Sequence, residues 1–186
     1  MWRWLVGILV VVVLLGAAYM FTYNSLVDKD QNVKASWAQI ESQLQRRYDL
    51  IPNLVDTVKG YATHEKELFE NVAKARSAWA SASPGNGKVV AAGQVEGFLG
   101  RLIAVAESYP QLRASENFRA LQDELAGTEN RIAVARMRYN EAVQDYNVRA
   151  KRIPVVFFVR LFGFDAEKPF FAVTKEEAKE APKVKF

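Results

Sequence analysis

The sequence predicts an all-α protein, an N-terminal transmembrane helix followed by an antiparallel up-and-down four-helix bundle with long helices. Three observations lead there. An uncharged apolar stretch near the N-terminus matches a bilayer in length. Beyond it, apolar residues recur at threes, fours and sevens, and no convincing strand alternation interrupts them before the C-terminal end. The longest such series begins near Ser115 and is too long to bury its stripe alone, so it must lie against other helices.

The first element is Leu5 to Tyr23, LVGILVVVVLLGAAYMFTY, which would extend about 28 Å against a hydrocarbon core of roughly 30 Å. Trp2 and Trp4 stand at one end, and Tyr19, Phe21 and Tyr23 at the other, where amphipathic rings meet the two interfaces. Residues 1–24 are therefore assigned as an anchor. A cleaved signal peptide is the competing reading, with Arg3 as its charged head, Leu5–Leu15 as its apolar region and Gly16-Ala17-Ala18 as its cut. The apolar character continues through Met20 and Phe21, past that cut, which favours retention. Arg3 and the α-amino group precede the span and Lys29 and Lys34 follow it, an even tally of positive charges. The short basic head favours a cytoplasmic N-terminus and a body on the non-cytoplasmic side of a bacterial inner membrane.

The body, residues 25–152, opens with Leu26, Val33, Trp37, Ile40, Leu44, Tyr48 and Ile51 on one helical stripe that continues out of the span. Pro52 predicts a kink or a restart there, with Asp49 as N-cap. Val55, Val58 and Tyr61 follow on a short helix weakened by Gly60. Thr63 is expected to cap another helix carrying Leu68, Val72, Ala75 and Trp79. Ser81–Lys88, SASPGNGK, reads as a loop, and a helix with Val95, Phe98, Leu102, Val105 and Tyr109 stops at Pro110. Residues 115–152 then form one helix of about 57 Å, through Phe118, Leu121, Leu125, Thr128, Ile132, Ala135, Tyr139, Ala142, Tyr146 and Ala150.

Residues 153–172 form an apolar return. Its core, Ile153–Phe164, is too short to span a bilayer. It either packs across the open end of the bundle or lies in the membrane interface, with Phe157, Phe158 and Phe162 inserted and Arg160 snorkelling to headgroups. Arg149, Lys151 and Arg152 just before it suit anionic lipid. Residues 173–186 read as a flexible charged tail.

Composition narrows the chemistry. The 186 residues hold 25 Lys and Arg against 21 Asp and Glu, a net charge of +4, with the basic residues scattered among acids. That argues against nucleic acid as a partner. With no cysteine and one histidine, thiolate chemistry and multi-histidine metal sites are excluded. His64-Glu65 starts a zinc motif, but Leu68 stands where the second histidine belongs. Gly85-Asn86-Gly87-Lys88 lacks the first glycine, the magnesium-binding hydroxyl and the preceding strand of a phosphate loop. Glu129-Asn130-Arg131 interrupts the long helix beside core positions, and a network of Glu129 with Arg46 or Arg47 is expected there.

The segment WAQIESQLQRRYDLIPNLVDTVKGY (Trp37–Tyr61) closely resembles the LemA family. His64-Glu65, Ala75-Arg76, the run Ala106–Arg136, YNEAVQDYN (Tyr139–Asn147) and the terminal FGF (Phe162–Phe164) extend the resemblance over nearly the whole chain. It implies a single-pass anchor followed by a compact bundle of long helices in a bacterial envelope protein. It brings no established reaction, cofactor or substrate, and some members are associated with membrane organisation.

Carried onto this sequence, the polar motif residues are Arg46, Arg47, Asp49, Asn53, His64, Glu65, Glu129, Asn130, Arg136, Asn140 and Asn147. Asn140 and Asn147 stand seven residues apart beside Tyr139 and Tyr146, a Tyr-Asn ladder along one helix edge. Such residues fix register and partner choice without any reaction. The expected function is therefore a non-enzymatic, membrane-anchored scaffold or interaction protein, with the lipid bilayer and another membrane or envelope protein as partners, and self-association as a further option. A small-molecule or peptide-binding module between helices, near Arg46, Arg47 and Glu129, is the alternative, and a hydrolase using glutamates and His64 is a third.

Overall fold

The structure is a computed structural model that describes residues 2–62, 64–83 and 85–171. Among these residues it is all-helical: α1 Trp2–Lys59, α2 Lys66–Ser81, α3 Asn86–Glu107, α4 Pro110–Ala114, α5 Glu116–Lys151 and α6 Val155–Phe158. Thr63, expected as a cap, and the charged tail 173–186 lie outside the described residues. The chain divides into two compact units. The first is built from residues up to Ala38 and from Ala135 onward, and the second from Gln39–Val134.

In the first unit, the leading part of α1 is uncharged and exposed along Leu5–Leu15, long and apolar enough to cross a membrane. Burial begins only beyond it. Leu26 and Val33 of α1 are buried, as are Tyr139, Ala142, Val143, Tyr146 and Ala150 of α5 and Val155 of α6. Each series follows the helical repeat, so each helix buries one stripe.

The second unit is built on Ile40, Leu44, Ile51, Leu54 and Val58 of α1, with Phe69, Val72, Ala75 and Trp79 of α2. The stretch Gly87–Glu107 in α3 is also apolar enough to cross a membrane, yet Ala91, Val95, Leu99, Leu102 and Ala106 are buried on one face, as in a core helix. Phe118, Leu125 and Ile132 of α5 complete the set. Buried Thr128 sits among them because its hydroxyl donates to the Leu125 carbonyl at 2.7 Å, which satisfies it locally.

Three expectations are corrected. Pro52 does not restart the helix, and Asp49 is not an N-cap, because α1 runs through both. A proline inside a helix costs about 3 kcal/mol. Burying Ile51, Leu54 and Val58 returns about 1.5–3 kcal/mol each, so packing prevails over the lost hydrogen bond. The loop expected over Ser81–Lys88 is shorter, since α3 already starts at Asn86. Gly85, at φ 79°, adopts a positive-φ conformation that favours glycine and lets the helix start early. Pro110 begins a short helix instead of only ending one, being suited to the first helical turn.

Two substitutions probe the continuity of α1. Leu54→Ala is expected to cost about 2–5 kcal/mol. Pro52→Ala is expected to stabilise by up to about 3 kcal/mol, as the missing N–H returns to the helix. Chemical unfolding of the detergent-solubilised chain measures both; a destabilised Pro52→Ala variant would mean that the proline geometry is itself required for packing.

Candidate functional site

The most ordered polar arrangement lies in the first unit, where the extended segment Phe164–Phe171 is bound along α5. Its start is set by the turn after α6. Gly163 has φ 77°, its N–H donates to the Arg160 carbonyl at 3.1 Å, and the Phe164 N–H donates to the Val159 carbonyl at 3.0 Å. This pair of bonds around a left-handed glycine ends a helical turn and redirects the chain. The FGF sequence is thereby accounted for.

The ladder on α5 then reads the strap's backbone. Asn147 Nδ2 donates to the Lys168 carbonyl at 2.9 Å, and its Oδ1 accepts from the Lys168 N–H at 2.7 Å. Asn140 treats Phe171 in the same way, at 3.2 Å and 2.8 Å. The Tyr146 hydroxyl donates to the Asp165 carbonyl at 2.6 Å and the Tyr139 hydroxyl to the Pro169 carbonyl at 3.2 Å. Seven residues of helix rise about 10.5 Å, while three residues of extended chain advance about 10 Å. Two asparagines seven apart therefore meet two strap residues three apart.

Side chains key the strap further. Lys168 turns inward, its Nζ 2.8 Å from Asp30 on α1 and 3.2 Å from Asp165, and 4.9 Å from the centre of the Tyr146 ring. Asp30, only 8% exposed, also meets Lys34 at 2.7 Å. Phe171 lies 4.8 Å from the Arg136 guanidinium and 6.2 Å from the Trp37 ring, which itself packs edge-on to Tyr139 at 5.3 Å. Lys151 pairs with Glu167 at 2.8 Å, at the outer margin.

These contacts set the titration of the site. Burial pushes the Asp30 carboxyl up, but hydrogen bonds and charge from Lys168 and Lys34 outweigh it and hold the group below its usual range. Burial depresses Lys168, yet its bonds to Asp30 and Asp165 leave it raised. Tyr139 and Tyr146 are raised by burial.

The second unit carries a different polar system. Arg47 of α1 pairs with Glu129 of α5 and reaches Glu96 of α3 at 3.5 Å. Arg46 and Arg131 share Glu124, at 2.8 and 2.9 Å. The expected contact of Glu129 with an α1 arginine is thus present. Nearby, Tyr48 stacks on Trp79 at 4.2 Å and donates to the Arg76 carbonyl, and Lys88 lies 3.9 Å over the Trp79 ring.

The remaining candidates are more scattered. Asp49 accepts from Gln45 at 2.7 Å on an exposed surface, and the Asn53 carbonyl accepts from Thr57. His64 and Asn130 are exposed, and Glu65 precedes α2 without a capping side-chain bond. A cavity of about 510 Å³ opens between α2 and α3, bordered by Asn71, Lys74, Gln94, Phe98 and Arg101, none of which was a candidate. Among the described residues, no three histidines or carboxylates gather as metal ligands.

In the apolar return, Phe157 and Arg160 are exposed, whereas Phe158 and Phe162 pack on Tyr19 at 6.4 and 4.9 Å. Lys168, Asp30 and Trp37 were not singled out as site residues. For Asp30 a signal exists, because it stands on the same stripe as Leu26 and Val33, where an acid demands a buried cation.

The LemA family profile matches residues 36–186. Magnetosome protein MamQ 1 and magnetosome protein MamQ 2 of Paramagnetospirillum magneticum are each 26% identical to the chain over 180 residues, covering 83% of it and 66% of their own length. Magnetosome protein MamQ of Magnetospirillum gryphiswaldense is 26% identical over 171 residues, covering 78% of the chain and 63% of itself. The chain thus spans a little under two thirds of the length of these curated relatives.

Two expectations test the strap. Asn147→Leu removes two hydrogen bonds worth about 0.5–1.5 kcal/mol each. Amide exchange at Lys168 should then accelerate about tenfold or more, since each 1.4 kcal/mol or so is a factor of ten. The second concerns pH. Asp30 is lowered from 3.8, so its contribution is present above that value and disappears as pH falls through the lowered one. The raised Tyr139, Tyr146 and Lys168 contribute below 10.0 and 10.5, and lose their contribution as pH rises through their folded values. Spin labels on the exposed positions Gln144 and Ala166 should keep one short separation between these limits and spread apart beyond both.

Proposed function

The chain belongs to the LemA family, and from that premise we propose that it is a non-enzymatic, membrane-anchored helical scaffold or interaction protein of the bacterial cell envelope. One observation carries this reading. A single helix, α1, is exposed and apolar along Leu5–Leu15, yet its later residues supply buried stripes to the body. An anchor built this way transmits its position to the domain it carries, with no flexible linker between them.

The finer architecture we assign is an antiparallel up-and-down four-helix bundle. It is supported within the first unit by contact order: Lys29 meets Asp145 and Trp37 meets Tyr139, so numbers rise along α1 as they fall along α5. We place the body on the non-cytoplasmic side of the inner membrane, following the short basic head. The partner is another membrane or envelope protein, met on the exposed apolar positions Met137 and Val148 of α5. Similarity to magnetosome proteins supports a role of this kind.

The second reading, a small-molecule or peptide module, is favoured by the cavity between α2 and α3, whose border offers Lys74 and Arg101 as cations.

The native chain has no cysteine, so one engineered at exposed Ser77 reports sidedness cleanly. A membrane-impermeant maleimide should label it without lysis of the inner membrane. Photocrosslinkers at Met137 and Val148, activated in intact membranes, should give a discrete adduct with a second membrane or envelope protein. A body labelled only after lysis sinks the sidedness, and a chain that stays monomeric and adduct-free sinks the scaffold.

A further inference from the structure

Beyond α6 the chain makes a further turn, with Val159 N–H donating to the Val155 carbonyl and Phe162 N–H to the Phe158 carbonyl at 3.1 and 2.9 Å, and in the turn before it the Val156 N–H donates to the Arg152 carbonyl at 2.9 Å. The two faces of this turn differ sharply. Val155 and Val159 are buried, and Phe158 and Phe162 face α1, where Tyr19 and Tyr23 pack edge-on to Phe162 at 4.9 and 5.3 Å. On the other side Ile153, Phe157 and Leu161, each four residues from the next, are 79%, 72% and 73% exposed. Water does not favour such a row.

The surroundings identify what covers it. Tyr19 and Tyr23 end the apolar stretch of α1, where the interface between hydrocarbon and headgroups lies. The row is thus attached to the span at interfacial depth. Arg152 and Arg160 are exposed beside it and, among the described residues, meet no carboxylate. Apolar side chains flanked by unpaired cations match an anionic bilayer surface. They match a second copy of the chain poorly, since two such patches would bring like charges together.

We infer that Ile153, Phe157 and Leu161 insert into the anionic interface of the bilayer that α1 spans, with Arg152 and Arg160 at lipid phosphates, so that the domain is fastened to the membrane at a second point. This deepens the anchoring proposed above and rests on α1 being in the membrane. The fastening has a fixed geometry. On one side the turn continues from α5, and on the other the Gly163 turn and the ladder-bound strap hold it, so the domain cannot swivel about α1 alone.

The test uses the full chain in nanodiscs containing phosphatidylglycerol, with a nitroxide on one engineered cysteine at a time. Labels at positions 153, 157 and 161 should be reached by oxygen and shielded from a water-soluble nickel chelate, about 5–10 Å below the phosphates. A label at Ser77 should be open to nickel, and one at Val12 should lie deep in lipid. If Val12 is open to nickel, the anchor itself is refuted. If Val12 is in lipid while 157 and 161 are as open to nickel as Ser77, only the second contact is refuted. Shielding of the row from both oxygen and nickel would mean a protein covers it, and would also overturn the inference. The double substitution Arg152→Gln and Arg160→Gln should remove the difference in immersion between phosphatidylglycerol and phosphatidylcholine nanodiscs; an unchanged difference would refute the phosphate contacts.

Discussion

A helix and an extended chain advance at different rates, about 1.5 Å and 3.3 Å per residue, so they match only at particular intervals. Seven helical residues against three extended ones is such an interval, and Asn140 and Asn147 occupy it opposite Phe171 and Lys168. Each carboxamide offers a donor and an acceptor, as a neighbouring strand would, so the backbone groups of Lys168 and Phe171 are satisfied without a sheet. From this match follow the direction of the strap along α5, the inward turn of Lys168 and the placement of Phe171 against Trp37 and Arg136. It also holds the far end of the turn that seats Phe162 on Tyr19 and Tyr23.

The pair between Asp30 and Lys168 adds specificity more than stability. A buried ion pair roughly balances its attraction against the cost of desolvation, and an apolar pair of similar volume can serve as well. What an apolar pair lacks is register. Lys168 is the one strap residue whose backbone meets Asn147 and whose side chain meets Asp30. Sliding an extended strap by one residue turns that lysine to the opposite face and leaves Asp30 facing it without its inner cation. The carboxamides supply the contact, and the buried charge selects which residues make it.

Much of the helical pattern was legible because it depends on local periodicity. The stripes through Leu26 and Val33, through Val72 and Trp79, and through Phe118 to Tyr146 are buried as their spacing implies. Pro52 misled because a local penalty was weighed without the burial of Ile51, Leu54 and Val58 around it. The Tyr-Asn ladder was visible as a repeat, but its occupant was not. An extended segment bound through its backbone leaves little trace in its own side chains, and Asp165–Phe171 carries no periodic signal. Asp30 could have pointed to it, since a carboxylate on an apolar stripe requires a partner.

The two polar systems also differ in what they leave free. In the second unit, Arg46, Glu124 and Arg131 stand near solvent, where exposed ion pairs contribute little and exchange readily. In the first, Asn140 and Asn147 already use donor and acceptor together on the strap, and Tyr139 and Tyr146 donate to it as well. Side chains engaged on both sides are poorly placed to take up a substrate, but well placed to make one geometry reproducible. The scaffold proposed above would draw on that property, since a partner would then meet the same surface each time. The apolar helix α1, the turn packed on its Tyr19 and Tyr23 and the strap that holds the turn together would provide a physical basis for such constancy.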